Sequence, residues 1–367
     1  MRLALRELRR RPGRFVSAAA ILSLIALLLM FLGGLLDGLV RGATGAVRSQ
    51  DADVLVFSDG SQASFLRSRI EPTTAQELAS VVDGEIGGLG VVLLGARVPG
   101  NGPRDLASVA VWGYELPTDD LPPPPTDGQA YADRILEAEG VEIGQTLAVG
   151  PARQPIEIIG WVEDTAYNGQ GGLWTNLATW RVVLGASRPG ATLGPDVVQA
   201  LVVRDARPSD LPERLRNSTA EPVLVLDESA AIAAIPGVTE QRSTFNQILG
   251  VTVTVALVVI ALFFALLTVE RTALYGVLKA IGARSGTIFG GVVVQAVAVT
   301  AVAAIIGAAA VTLVSAAIPP GSIPLYVSTG RIVTSVVLLL VAAVAGSALS
   351  LRRVLRIDPA SALGTSS

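Results

Sequence analysis

The chain has 367 residues, a formal net charge of −3, and neither histidine nor cysteine. It therefore has no Ser-His-Asp or Cys-His catalytic set, no disulfide, and no zinc or haem site built on His or Cys. Hydrophobic residues make up 51% of the chain and charged residues only 16%, against about a quarter in an average soluble protein. This composition indicates that part of the chain lies in lipid.

The charged residues are unevenly distributed. Residues 41–243 hold 15 Arg against 27 Asp or Glu, a net charge of −12, and the remainder of the chain carries +9. Such a division suggests that the two parts occupy different compartments.

The first 14 residues predict a basic amphipathic helix, with Met1, Leu5 and Leu8 on one face. Four stretches without a charged side chain follow, at 15–36, 243–269, 285–330 and 332–351. About 20 apolar residues are enough to cross the hydrocarbon core. We therefore predict four membrane spans, at 15–40, 244–269, 287–316 and 332–351. A cleaved signal peptide is disfavoured for the first span, because the apolar region is long and lacks an A-x-A site.

Basic residues flank the spans on one side. They occur in the N-terminal helix, in the loop between spans two and three, and after span four, whereas the loop at 317–331 has only Arg331. By the positive-inside rule, both termini and the segment at 270–286 are cytoplasmic. The cytoplasmic C-terminal tail then comprises residues 352–367. The acidic block at 41–243 is then outside the cell.

The block at 41–243 predicts an α+β domain. Short β-type runs separated by Gly, Pro and Asp occur at 53–57, 90–94, 109–112, 146–149, 156–159 and 198–203. Helices are predicted at 74–82 and 208–216. The glycine-rich segment at 168–172 is expected to be a flexible loop, because it lacks the spacing of a phosphate-binding motif. The four tryptophans, all in this block, are expected in its core.

Residues 270–284 predict an amphipathic helix between spans two and three. Leu274, Val277, Leu278 and Ile281 recur at helical spacing on one face, and Gly282 is placed to end the helix. The apolar stripe requires a surface to cover it. The membrane surface, another cytoplasmic part of the chain, or a partner protein would each serve.

Ionisable residues are absent from the four spans except for Asp37, near the outer end of span one. Because buried carboxylates mark proton-coupled transport, a secondary transporter is disfavoured. Gly34, Gly38 and Gly42 are spaced as two G-x-x-x-G steps, which predicts close helix packing at these positions.

The order of these parts and two motifs resemble the MacB/FtsX-like permeases of ABC transporters. The sequence ERTALYGVLKAIGAR at 270–284 is similar to the family's cytoplasmic E-R-x-x-E-x-G-x-L-R-A-x-G-A segment, although Leu274 replaces an acidic residue. The ending LRRVLRIDPASAL at 351–363 resembles R-x-x-x-x-D-P-x-x-A-L. The resemblance covers essentially the whole chain, and its details are most like small DevC/HrtB-type members. It implies an integral membrane protein with four transmembrane helices and a large α+β extracytoplasmic domain between helices 1 and 2.

The resemblance also implies partners and a coupling segment. Two permease chains, as a homodimer, would pair with two copies of a cytoplasmic ABC ATPase, and the segment at 270–286 would be the coupling helix. Its residues are Glu270, Arg271, Gly276, Val277, Leu278, Lys279, Ala280, Ile281, Gly282 and Ala283. The sequence itself agrees that ATP and Mg²⁺ belong to a partner. A Walker A motif requires Lys followed by Ser or Thr, and the sole lysine, Lys279, precedes Ala280.

The leading hypothesis is thus a non-catalytic permease subunit of an ATP-driven exporter in the bacterial plasma (inner) membrane, which works by mechanotransmission. It predicts no catalytic, cofactor or metal site on this chain and no nucleic-acid partner. The alternative is an FtsX-type signalling subunit that activates an external cell-wall hydrolase, and an external adaptor or hydrolase is a candidate partner. A third hypothesis, a membrane-anchored sensor without an ATPase, gives no role to three of the four spans. HrtB-type relatives export haem, but the lack of His and Cys weakens that cargo, and lipid, peptide or antibiotic cargo stay open.

Overall fold

The computed structural model describes residues 12–102, 104–188, 190, 194, 196–270, 277, 281, 285–318 and 323–354. The chain divides into two compact units. The membrane unit comprises Met1–Gly38, Ser243–Ile318 and Leu325–Ser367, and the sheet unit comprises Leu39–Arg242 and Pro319–Pro324.

Within the described residues, the sheet unit contains nine strands and four complete α-helices. The strands are β1 (Val54–Ser58), β2 (Gly84–Arg97), β3 (Leu106–Tyr114), β4 (Gln129–Asp133), β5 (Thr146–Val149), β6 (Gln154–Val162), β7 (Gly171–Asn176), β8 (Ala200–Asp205) and β9 (Val223–Asp227). The helices are α2 (Pro72–Ala79), α3 (Leu177–Ser187), α4 (Leu211–Ser218) and α5 (Glu228–Ala234), with a short 3₁₀ helix at Arg134–Glu139. The element α1 (Pro12–Arg48) begins in the membrane unit and ends in the sheet unit.

Strand β2 joins a closed barrel to an open sheet. The order β3-β7-β4-β6-β5-β2 closes on itself because β2 also pairs with β3, which makes a six-stranded barrel. Residues 84–89 of β2 pair with β8, whereas residues 89–97 pair with β3. Strands β8, β1 and β9 therefore extend from the first half of the same 14-residue strand whose second half closes the barrel.

Several strands, among them β1, β3, β7 and β8, carry buried apolar side chains on both faces of the sheet. Side chains alternate across a strand, and in β3 Val109 and Val111 enter one hydrophobic cluster while Ala110 and Trp112 enter the other. Helices α2, α3 and α4 contribute Leu78, Trp180 and Leu215 to the first cluster. The second cluster is aromatic and contains Phe57, Phe65, Trp112, Tyr114, Tyr167 and Trp174. These cores cover the sheet without any disulfide.

The six predicted β-type runs fall on β1, β2, β3, β5, β6 and β8, while β4, β7 and β9 were not predicted. The prediction of a flexible loop at 168–172 is wrong for its last two residues, because Gly171 and Gly172 begin β7. They are glycines because the barrel leaves no room for a Cβ atom. At Gly171 it would lie 2.5 Å from Leu136 Cγ, and at Gly172 2.6 Å from Trp174 Nε1.

The membrane unit contains most of α1 and of α6 (Val238–Val269), together with α7 (Ser285–Ala317) and α8 (Thr329–Val354). All four are long and apolar enough to cross a membrane. Together with the sheet-rich region between the first two, they confirm the predicted fold class. Helix α1 continues beyond the predicted residue 40 to Arg48, because charged residues end an apolar run without ending a helix. Helix α8 begins at Thr329 rather than 332, since Ser328 caps it by accepting a hydrogen bond from Arg331 N (3.1 Å).

The membrane helices pack through single glycines. A Cβ atom on Gly307 of α7 would lie 2.7 Å from Ala26 Cβ of α1, and one on Gly346 of α8 would lie 2.8 Å from Leu257 O of α6. Because there is no hydrophobic driving force between helices in lipid, their association depends on van der Waals packing. Close approach at these two glycines provides such contact.

Gly90 and Gly113 provide the space for Trp180, and Gly90 gives a direct test of packing in the sheet unit. A Cβ atom on Gly90 would lie within 2.6 Å of Trp180 Cε2, so Gly90→Ala should cost about 1–3 kcal/mol, or about 3–10 °C in Tm. The matched control is Gly102→Ala, whose Cβ atom meets no atom closer than 4.0 Å. All four tryptophans lie in the sheet unit, so tryptophan fluorescence of the intact chain reports this unit. Equal midpoints for both variants would contradict the packing described.

Candidate coupling segment and membrane helices

The structure describes three residues of the predicted coupling segment: Glu270, Val277 and Ile281. The amide of Ile281 donates a hydrogen bond to Val277 O (3.1 Å), which is the i to i−4 bond of one helical turn. Both side chains are apolar and exposed, Val277 by 57% and Ile281 by 79%. The other predicted residues lie outside the described residues: Arg271, Gly276, Leu278, Lys279, Ala280, Gly282 and Ala283.

Val277 and Ile281 lie between the end of α6 and the start of α7 and share a face, since residues four apart in a helix are neighbours. Covering a side chain of this size contributes about 1.5–3 kcal/mol relative to leaving it in water. The two described members of the predicted stripe are therefore available to a partner.

An ion pair lies in the membrane unit, between α1 and the first turn of α8. Arg331 Nε donates to Asp37 Oδ2 at 2.9 Å, and its second nitrogen contacts Asp37 Oδ1. Only 26% of the Asp37 side chain and 21% of the Arg331 side chain are exposed. Sequence reasoning placed Arg331 in a loop and gave it no partner. The pair removes the cost of burying either charge alone.

Two glycines of α1 make room for this contact. A Cβ atom on Gly33 would lie 2.6 Å from Arg331 Cδ, so the arginine side chain crosses α1 where there is no side chain. The carbonyl of Gly34 accepts a hydrogen bond from Tyr326 N at 3.0 Å. Because Gly33 and Gly34 have no side chains, residues 325–331 can approach the surface of α1 closely at these positions.

The predicted helix-packing glycines fall in different environments. The neighbours of Gly34 are Leu325, Tyr326 and Val327, in the extended segment before α8 rather than in a helix. At Gly42 an added Cβ atom would meet nothing within 4 Å. Packing of Gly38 and Gly42 against another helix stays a prediction. The packing glycines of the membrane unit, Gly307 and Gly346, were not predicted, because isolated glycines in alanine-rich spans show no distinctive spacing.

Within the described residues, no group of three or more acidic side chains is arranged to hold a metal ion.

Comparison with known proteins identifies relatives over the whole chain. Residues 246–359 match the model of the FtsX-like permease C-terminal domain. Proteins named as HrtB permeases of a hemin transport system are similar over 99% of both chains, with 20% identity in Staphylococcus haemolyticus and 21% in Staphylococcus epidermidis strain ATCC 12228.

Two solved structures also resemble parts of the chain. The periplasmic region of MacB from Actinobacillus actinomycetemcomitans matches with a TM-score of 0.34 and 12% identity, over 50% of this chain and 92% of that one. The extracellular domain of the noncanonic ABC-type transporter YknZ matches with a TM-score of 0.32 and 14% identity, over 47% of this chain and 99% of that one.

The Asp37–Arg331 pair should contribute measurably to stability. Asp37→Ala leaves a mostly buried guanidinium without its carboxylate, and we expect a loss of about 2 kcal/mol, the scale of a hydrogen bond to a charged group. Arg331→Ala should cost a similar amount, and the double variant should cost clearly less than the two losses added together. Thermal unfolding of the chain in nanodiscs measures the three losses. Simple additivity would show that the two side chains do not interact.

Proposed function

We propose that the chain is an FtsX/MacB-like permease and forms the membrane subunit of an ATP-driven exporter, a proposal supported by its match to the FtsX-like permease C-terminal model and by its similarity to HrtB permeases. In this proposal two permease chains form a homodimer and bind two copies of a separate cytoplasmic ATPase, which supplies the ATP and Mg²⁺ sites. The observation that carries the proposal is the exposure of Val277 and Ile281 between two membrane helices of a permease.

In the proposed membrane orientation of the chain, both termini and the 270–284 segment lie in the cytoplasm. It is supported by the basic residues that flank the spans and by the net charge of −12 between residues 41 and 243. The sheet unit is then outside the cell. ATP-driven closure of the ATPase would move α6 and α7 through the coupling segment, and the long helices would carry the movement outward as mechanical work.

The lipid bilayer is the expected partner of the exposed apolar side chains on α6. These include Val251, Val255, Leu262 and Leu266, which are between 49% and 66% exposed. Only 17% of the most apolar part of α6 is buried within the chain, against 33–39% for the other three membrane helices. A dimer partner would use part of the same face.

Without His or Cys, this chain could ligate haem iron only through Tyr, Met or a carboxylate. The HrtB relatives are named for hemin, but this chain has no His or Cys. Met30 is fully buried and Tyr114 and Tyr167 are 1% and 8% exposed, whereas Tyr326 is 42% exposed. Hemin is therefore one cargo to be tested beside apolar lipids, peptides and antibiotics.

Substitution of Ile281 tests the coupling assignment. Ile281→Asp replaces an exposed apolar contact with a charge and should abolish co-purification with the ATPase and stimulation of its activity. The matched control is Val182→Asp, a similar change at a residue of α3 that is 58% exposed. The control should keep wild-type association. Full stimulation of the ATPase by the Ile281→Asp chain would exclude the coupling role.

Deletion of the gene separates export from the FtsX-type signalling alternative. Export predicts that cells lacking the chain accumulate a toxic cargo and become sensitive to it, and that Ile281→Asp does not restore resistance. Unchanged sensitivity to every cargo, together with altered cell-wall hydrolysis, would support signalling instead.

A further inference from the structure

The connection between β6 and β7, residues 163–170, contains a tight turn at its tip. Tyr167 N donates to Gln170 O and Gln170 N donates to Tyr167 O, both at 2.9 Å. The two central residues, Asn168 and Gly169, have φ of 52° and 76°. This is the geometry for which Asn-Gly is preferred, because both positions need a positive φ. The amides of the two central residues are not used inside the turn.

Those two amides bind the backbone of α1. Asn168 N donates to Ala43 O at 3.1 Å, and Gly169 N donates to Gly42 O at 3.0 Å. In the opposite direction, Ala46 N donates to Ala166 O at 3.1 Å. In an uninterrupted helix Ala46 N would donate to Gly42 O. Here each of these two groups has a partner in the connection, so three hydrogen bonds join it to the last turns of α1.

Close approach and charge reinforce these bonds. A Cβ atom on Gly45 would lie 2.9 Å from Ala166 N and closer still to Asp164 O, so only glycine allows the two backbones to meet. The Asp164 carboxylate accepts hydrogen bonds from Arg48 (3.1 and 3.2 Å) and from Arg41. Burial raises the pKa of Asp164, but the hydrogen bonds and charges of Arg41 and Arg48 outweigh it and lower the pKa below its usual value. We call residues 41–48 and 163–170 together the α1 clasp.

The other side of the turn is fixed in the aromatic core of the barrel. Tyr167 is 8% exposed, and its ring packs edge-on against Trp112 with 5.1 Å between centroids. Trp112 stacks on Trp174 at 5.2 Å, and these two residues pair across the parallel strands β3 and β7. The turn is therefore hydrogen-bonded to α1 through its backbone and packed against β3 through the buried side chain of Tyr167.

We propose that the α1 clasp is the point at which movement of α1 is transmitted to the barrel. The inference rests on the proposed function, since it requires that ATP-driven movement of α7 reaches α1, against which α7 packs at Gly307 and Ala26. A helix that merely ended in a flexible linker would deliver little force to the barrel. Here the final turns of α1 are joined to the barrel by three backbone hydrogen bonds, a carboxylate shared by two arginines, and a tyrosine packed against Trp112 of β3.

Two glycines three residues apart provide a matched test. Gly45→Val places a side chain against Asp164 and Ala166 and should open the clasp, whereas Gly42→Val meets no atom within 4 Å at its Cβ position and should not. Both substitutions put the same β-branched residue in the same helix. Hydrogen–deuterium exchange of the full chain in nanodiscs with its ATPase measures the result. Exchange in residues 163–170 should rise about tenfold or more in Gly45→Val and stay unchanged in Gly42→Val.

Transmission is measured by comparing the ADP state with a state holding a non-hydrolysable ATP analogue. In the wild type and in Gly42→Val, the analogue should change exchange in β3 and β7. In Gly45→Val that change should be lost while the ATPase remains bound. Asp164→Asn, which weakens the ion pairs without steric conflict, should reduce the change by an intermediate amount and keep the tryptophan fluorescence of a folded sheet unit.

The outcomes separate this inference from the proposed function. If opening of the clasp leaves the nucleotide-dependent change in β3 and β7 at the wild-type level, the clasp does not transmit movement. If Gly45→Val does not fold, Asp164→Asn provides the test instead. A wild-type nucleotide-dependent change in β3 and β7 of Asp164→Asn, together with fast hydrogen exchange in residues 163–170, would overturn the inference. If the wild-type chain binds the ATPase and no nucleotide changes the sheet unit, the proposed mechanotransmission itself fails.

Discussion

Hydrocarbon solvates neither charge nor unpaired backbone groups, and this constraint decides how the chain is organised. It requires four long helices whose amides and carbonyls are satisfied internally, and it sends nearly all acidic residues to the stretch between the first two helices. Asp37 of α1 and Arg331 in the first turn of α8 occur together because each neutralises the charge of the other. The same constraint makes Val277 and Ile281 conspicuous, since they lie between two spans and remain apolar and exposed.

The sheet unit has a different basis for its stability. Lacking cysteine, it relies on two hydrophobic clusters that cover both faces of one sheet, and on β2, which belongs to the barrel and to the open sheet at once. A closed barrel has no free strand edges. The end of α1 is attached to the β6–β7 connection of this barrel by the α1 clasp.

The features that could be predicted are those that a periodic pattern specifies. Charge-free runs identified the four membrane helices, and short β-type runs bounded by Gly, Pro and Asp identified six of the nine strands in the described residues. Strands β4, β7 and β9 were missed for different reasons. β7 begins with two glycines that only the neighbouring Leu136 and Trp174 require, and β4 and β9 are five-residue strands next to turns.

Contacts between distant residues could not be predicted from the sequence. The Asp37–Arg331 pair joins residues almost 300 positions apart, and nothing local to either residue indicates the other. The α1 clasp left one signal, the Asn168-Gly169 dipeptide, which is a strong indicator of a tight turn. It could have revealed the turn but not its hydrogen bonds to α1. The close contacts at Gly307 and Gly346 depend on which helices are neighbours, and that is decided only in three dimensions.

The central claim is that a separate ATPase covers the face formed by Val277 and Ile281. Because the chain has no cysteine, Ile281→Cys introduces its only thiol, and the rate at which a membrane-impermeant maleimide labels that thiol measures access to it. The account predicts rapid labelling of inside-out vesicles that contain the chain alone, and strong protection once the ATPase is bound. Equal labelling with and without bound ATPase, or labelling from the outer surface of intact cells, would contradict it.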